Sequence, residues 1–177
     1  LTLNISGVES FDEQTQEFVT VGDQKLMLEH SLFSLSKWES IWEIPFFGKE
    51  AKTAEQTISY IECMSVSEFP PGLLSRLNQE NLDEVQKYID AKMTATTFNE
   101  TNTRAGREIV TSEIVYYWMV AQQIPFECQH WHFNRLLTLI KVVNNKNAPA
   151  KKMNRRDAAA QQRALNASRR AEHNTSG

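Results

Sequence analysis

Between Thr111 and Asn144 the chain carries its two most apolar stretches, and a single proline, Pro125, divides them. From Thr111 to Gln122, Ile114, Val115, Trp118, Met119 and Ala121 make a wide apolar face at helical spacing. From Pro125 to about Asn144, apolar residues recur at 126, 133, 136, 137, 140 and 143, one stripe of three- and four-residue steps. Proline suits the first turn of a helix, where its missing N–H is not needed. With so short a connection, the two segments are expected to form an antiparallel helical hairpin. A pair of helices this apolar must be buried, so the chain has to build a helical body around it.

The preceding residues supply further elements. Within 2–30, TLNI, EFVTV and KLMLEH read as strands, and Gly22-Asp23 reads as the turn of a hairpin joining the last two. A helix is expected over 34–43, with Leu35, Trp38 and Trp42 on one face, Ser36 and Glu39 as a capping box, and Pro45 as the stop. IPFFGKE follows as an apolar loop. A second helix is expected over 53–65, with Thr53 capping, Gln56 at the reciprocal position, and Ile58, Ile61 and Met64 inward. A third is expected over 81–90, with Leu82, Val85 and Ile89 inward. MTATTF (93–98) reads as a short strand and 99–108 as a polar turn segment. The expected fold is α+β: a short N-terminal β-hairpin or small antiparallel sheet, then a mainly helical body with a helical hairpin, and a basic C-terminal helix.

That last helix stands apart in charge. Residues 146–177 hold eight basic residues against Asp157 and Glu172, a net +6. The whole chain has a net charge of -3, so residues 1–145 carry -9. The expected organisation is therefore a globular body, 1–145, and a basic linker and helical tail, 146–177. Asn154 to about Ala171 is rich in good helix formers, with Asn154 placed to cap. Leu165 is its only large apolar residue, so such a helix forms but buries little of itself. The residues expected to meet an acidic partner are Lys151, Lys152, Arg155, Arg156, Arg163, Arg169 and Arg170. Nucleic acid is a weaker candidate, since the tail lacks aromatics for stacking. No apolar run approaches the roughly 18 residues of a membrane span. LTLNISGVES lacks the basic and apolar regions of a secretory signal, so a reducing compartment with free Cys63 and Cys128 thiols is expected.

Catalytic signals are sparse. There is no G-x-S-x-G elbow and no glycine-rich phosphate loop. Glu108, Glu113 and Glu127 read as solvated charges. The tempting cluster is Cys128, His130 and His132, but on a continuous helix residues two apart point to nearly opposite sides, so only Cys128 and His132 share a face. Zinc needs three or four ligands. Cys128 is read as a core residue, His130 as a partner for a carboxylate, and His132 as a helix-surface or interfacial group. No catalytic residue, metal or cofactor is expected. Trp38, Trp118 and Trp131 are read as core, and Trp42, beside Phe46 and Phe47 of the apolar loop, as available to a partner.

Three stretches carry a resemblance. LEHSLFSLSKWESIWEIPFFGKEAKTAEQTISYIECM (28–64), TSEIVYYWMVAQQIPFECQHWHFNRLLTLIKV (111–142) and RALNASRRAEHNTSG (163–177) together resemble small bacteriophage proteins encoded among tail genes and described as tail assembly chaperones. The resemblance implies a non-enzymatic protein of the host cytoplasm that binds the tape-measure protein during tail assembly and self-associates. Two alternatives are a structural virion protein of the neck, tail or capsid, its basic tail contacting neighbouring subunits, and a small nucleic-acid-binding protein.

Overall fold

A computed structural model describes residues 1–12, 17–98, 109–148 and 155–173. The chain is α+β: a two-stranded antiparallel element at the N-terminus followed by helices. It divides into two units, Leu1–Asn144 and Asn145–Gly177.

In the first unit, β1 (Thr2–Ile5) pairs with β4 (Gln24–Met27), and β2 (Val8–Asp12) pairs with β3 (Glu17–Val21). One register runs through both pairs, from Thr2 opposite Met27 to Asp12 opposite Glu17. The element is a single long ribbon, interrupted where Ser6-Gly7 faces Gly22-Asp23. The expected hairpin at Gly22-Asp23 is thus corrected: β3 runs on into β4 through this point and does not fold back on it. Asp23 holds the interruption by accepting the Gly7 N–H (2.7 Å), and the Arg76 guanidinium donates to the carbonyls of Ser6 and Gly22. The pleat then points Leu3, Ile5, Leu26 and Leu28 into the core while Thr2, Asn4 and Met27 face out.

Segment 27–31 is the seam on which the body closes. Val66 donates to the Met27 carbonyl (3.0 Å), Glu29 to Met64 (2.8 Å) and Phe133 to His30 (2.8 Å). Helix α1 (Leu32–Trp42) starts here. Its capping box is Ser31 with Ser34, and the proposed Ser36–Glu39 pair lies inside the helix. The chain leaves α1 through Glu43 in a left-handed conformation (φ 54°), before Pro45 is reached. Helix α2 (Ala54–Met64) is capped as expected: Gln56 N–H to Thr53 Oγ1 (3.2 Å), and Thr53 N–H to Gln56 Oε1 (3.0 Å). The two helices are joined by indoles, Trp38 Nε1 donating to the Gln56 carbonyl (2.9 Å) and Trp42 Nε1 to Ser59 Oγ (3.0 Å).

Helix α3 (Gln79–Asp90) begins two residues before its predicted start, capped by Asn78 with Asn81, and Asn81 also donates to the Asn4 carbonyl of β1 (3.2 Å). Residues 93–98 are irregular, so the strand expected there is absent; among the described residues its threonines have no neighbouring strand to pair with. Residues 99–108 lie outside the described residues.

Helix α4 (Ser112–Ala121) packs against α1. The predicted continuous helix from Pro125 does not form. Phe126–His130 is a 3-10 turn, Trp131 and His132 are extended, and α5 begins only at Phe133, running to Asn147. The break lets His132 bridge to Ser31 across the seam. The 3-10 turn folds back on α4, where the Tyr116 hydroxyl donates to Gln129 (2.8 Å), but α5 does not run back along α4 as the expected antiparallel hairpin: Gln122, just past the end of α4, donates to Asn144 late in α5 (3.0 Å). Side chains from the start of α5 finish α3, as Asn134 Nδ2 donates to the Ile89 and Ala91 carbonyls (3.0 and 2.9 Å). Of the tryptophans expected in the core, Trp38 is fully buried, while Trp118 and Trp131 are half-buried against it.

The second unit consists of α6 (Arg155–His173) and its flanks. Residues 149–154 and 174–177, which include Lys151, Lys152 and the expected cap Asn154, are outside the described residues. Position 156 and positions 159–173 are exposed, and Leu165 retains 44% exposure.

Candidate functional site: the cleft under the 44–53 loop

Glu39 determines the path of the apolar loop. It is buried in α1, and its carboxylate accepts the Phe46 N–H on one oxygen (2.8 Å) and the Ser112 N–H on the other (2.7 Å). One side chain therefore ties α1, the loop and the first residue of α4 together. Phe46 is pulled inward, with Trp38 edge-on (5.1 Å between centroids) and Tyr60 at 4.4 Å. Lys52 closes the loop from its far side, donating to the Phe46 carbonyl (2.7 Å) with its ammonium 3.8 Å from the Phe46 ring centre. Burial lowers the Lys52 pKa.

Between this loop, α1 and the start of α2 lies a cleft of about 480 Å³. Trp38, Phe46, Lys52 and Gln56 line it, and Ile44 and Ile109, 42% and 44% exposed, also border it. It has the chemistry of a docking groove for apolar side chains, with Lys49 and Lys52 available for a carboxylate and Glu50 also present.

The residues expected to meet a partner separate here. Phe46 is buried and belongs to the cleft, not to the outer surface. Phe47 is 47% exposed but stacks on Phe133 (5.3 Å, 19°). Trp42 is half-buried, held by Ser59 and by Trp38. Ile44 and Ile109 were not singled out in sequence. Ile44 was the available signal, an apolar residue beside the proline of an apolar loop. Arg156, Arg163, Arg169 and Arg170 lie exposed on α6, and Arg155 is its first residue.

The Cys128–His132 stretch behaves differently from its helical reading. Cys128 is buried, as expected of a core residue, and both cysteines are free. His130 pairs with Glu29 (3.2 Å), as expected. His132 is a correction: it is buried, because the extended break turns it inward. Its Nε2 donates to the Tyr88 carbonyl (2.9 Å), and its ring stands edge-on to His30 at 5.0 Å. Among the described residues no group of three or more His, Cys, Asp or Glu side chains is placed to hold a metal ion. No described helix is long and apolar enough to cross a membrane.

No protein-family model, curated protein or solved structure matches the chain.

Proposed function

We propose that the protein is a non-enzymatic tail assembly chaperone that binds the tape-measure protein through the cleft under the 44–53 loop. The observation that carries this reading is a cleft whose border leaves Ile44 and Ile109 exposed around a floor of Trp38 and Phe46. The resemblance of 28–64, 111–142 and 163–177 to tail assembly chaperones supports it and names the partner. A long helical partner with apolar stripes offers side chains that such a groove accepts by apolar burial, at about 25 cal/mol per Å². The Lys52 ammonium adds a charge that favours an acidic residue beside the apolar one. The contact asks for no exact shape, which suits repeated binding along one chain.

Ile44→Asp with Ile109→Asp tests this. Both positions are half-exposed, so the fold is expected to tolerate the change to within about 1 kcal/mol. Capture of the tape-measure protein from infected cells is expected to fall about tenfold, the effect of roughly 1.4 kcal/mol. Unchanged capture by a normally folded variant would rule the cleft out.

A further inference from the structure

Arg156, Arg163 and Arg170 are seven residues apart along α6, and all three are exposed. Seven residues of helix advance about 10.5 Å and rotate two turns less about 20°, so the three guanidinium groups form one stripe. Ala159, Ala160 and Ala167 lie beside it on the wheel, leaving it unobstructed by larger side chains. Among the described residues none of these arginines has an ion-pair partner. Arg163 makes one hydrogen bond, to the Ala159 carbonyl of its own helix (3.1 Å).

The matching surface is on α3. Its exposed residues include Glu80, Asp83, Glu84 and Asp90, opposed only by Lys87. Asp83 and Asp90 have the same seven-residue separation as the arginines. Each is held by a glutamine four residues earlier, Gln79 Nε2 to Asp83 Oδ1 (2.8 Å) and Gln86 Nε2 to Asp90 Oδ2 (3.0 Å). Among the described residues neither carboxylate takes part in an ion pair. The acids are therefore oriented in advance and matched in spacing to the arginine stripe.

We infer that α6 of one copy docks along α3 of a second copy, pairing Arg163 and Arg170 with Asp83 and Asp90. Charge selects this occupant. Every copy supplies a tail of +6 and a body of -9, so each holds both halves of the contact. A nucleic acid would meet the same arginines but be repelled by the body. The contact joins two different surfaces, so it closes as a dimer with exchanged tails or a ring, or continues as an open row. It does not depend on the cleft or on the tape-measure reading.

Sedimentation of the full chain over a range of concentrations tests it. In about 50 mM salt the mass is expected to rise with concentration, and in about 500 mM salt, where screening is much stronger, to fall to that of the monomer. R163E/R170E and D83R/D90R are each expected to weaken association about tenfold or more, two like-charge contacts replacing two pairs. An equimolar mixture of the two variants is expected to regain wild-type association, because each then offers what the other lost. These exposed positions should leave the thermal midpoint nearly unchanged. A wild type monomeric at every concentration in low salt, as docking within one chain would give, overturns the proposal. So does association unaffected by the reversals, a mixture that fails to recover, or a protein that stays monomeric while binding duplex DNA.

Discussion

Replacing Glu39 with alanine is expected to destabilise the body by about 3–5 kcal/mol. Among the described residues the carboxylate is the only acceptor for two backbone donors, Phe46 N–H and Ser112 N–H, and it is buried (8% exposure). Hydrogen bonds to a charged group contribute about 1.5–3 kcal/mol each, and a buried N–H left unpaired carries its full desolvation cost. Glu39→Gln keeps one acceptor oxygen and turns an NH₂ toward the other donor, so about half the loss is expected. Glu43→Gln, on the exposed end of α1, is the control and should change stability by less than about 0.5 kcal/mol. Urea unfolding measures all three. A Glu39→Ala variant within about 1 kcal/mol of the parent would show that the loop and α4 are held by other contacts. Because the same carboxylate positions Phe46, both Glu39 variants should also widen the cleft and weaken binding there.

Acid is expected to loosen the body well above the pH at which carboxylates titrate. His30 is 1% exposed; its Nδ1 shares a hydrogen bond with the hydroxyl of Tyr60 (2.5 Å), which burial keeps protonated. Burial first, and the neighbouring His132 second, lower its pKa to about 3, against a smaller opposing effect of Asp90. His132 is lowered in the same direction, again chiefly by burial. The folded pKa lies below the unfolded value near 6.5, so the unfolded chain binds the proton more readily as pH falls. Stability is therefore lost progressively from about pH 6.5 down to about pH 3. At pH 5, 1.5 units below the unfolded value, His30 alone accounts for about 2 kcal/mol, or roughly 4–8 °C in midpoint. His30→Gln should be less stable at pH 7 but should lose much less between pH 7 and pH 5. An equal slope in the variant would place the acid sensitivity elsewhere.

The features legible in sequence were those decided within a few residues. Thr53 with Gln56 capped α2 as drawn, because a capping box is closed by its own first turn. The inward stripe of Ile61 and Met64 held for the same reason. What failed depended on partners far along the chain. Gly22-Asp23 has turn composition, yet Asp23 uses its carboxylate on Gly7 and Arg76 crosses from residue 76 to hold the ribbon through that point. The stripe after Pro125 is helical only from Phe133, because His132 bridges to Ser31 and the Phe133 N–H is taken by His30, about a hundred residues earlier. Glu39 read as half of a local box, whereas its partners are at 46 and 112. Ser31 with Ser34 was missed since serine at the third helical position is an uncommon reciprocal cap. In the cleft, Phe46 and Phe47 were visible as an apolar loop, but which of them turns inward is set by Glu39. The arginines of α6 were legible as charge; their seven-residue spacing gained meaning beside the same spacing of Asp83 and Asp90.

The proposed function has the chain bind a tape-measure protein during tail assembly and then leave it. The most direct measurement is its abundance relative to the tape-measure protein in two fractions from infected cells, assembling tails and finished virions. Under the proposed function the chain is expected to co-purify with the tape-measure protein in the first and to be scarce in the second. A chain found in fixed ratio to the tail proteins of finished virions, and not with the free tape-measure protein, would contradict it.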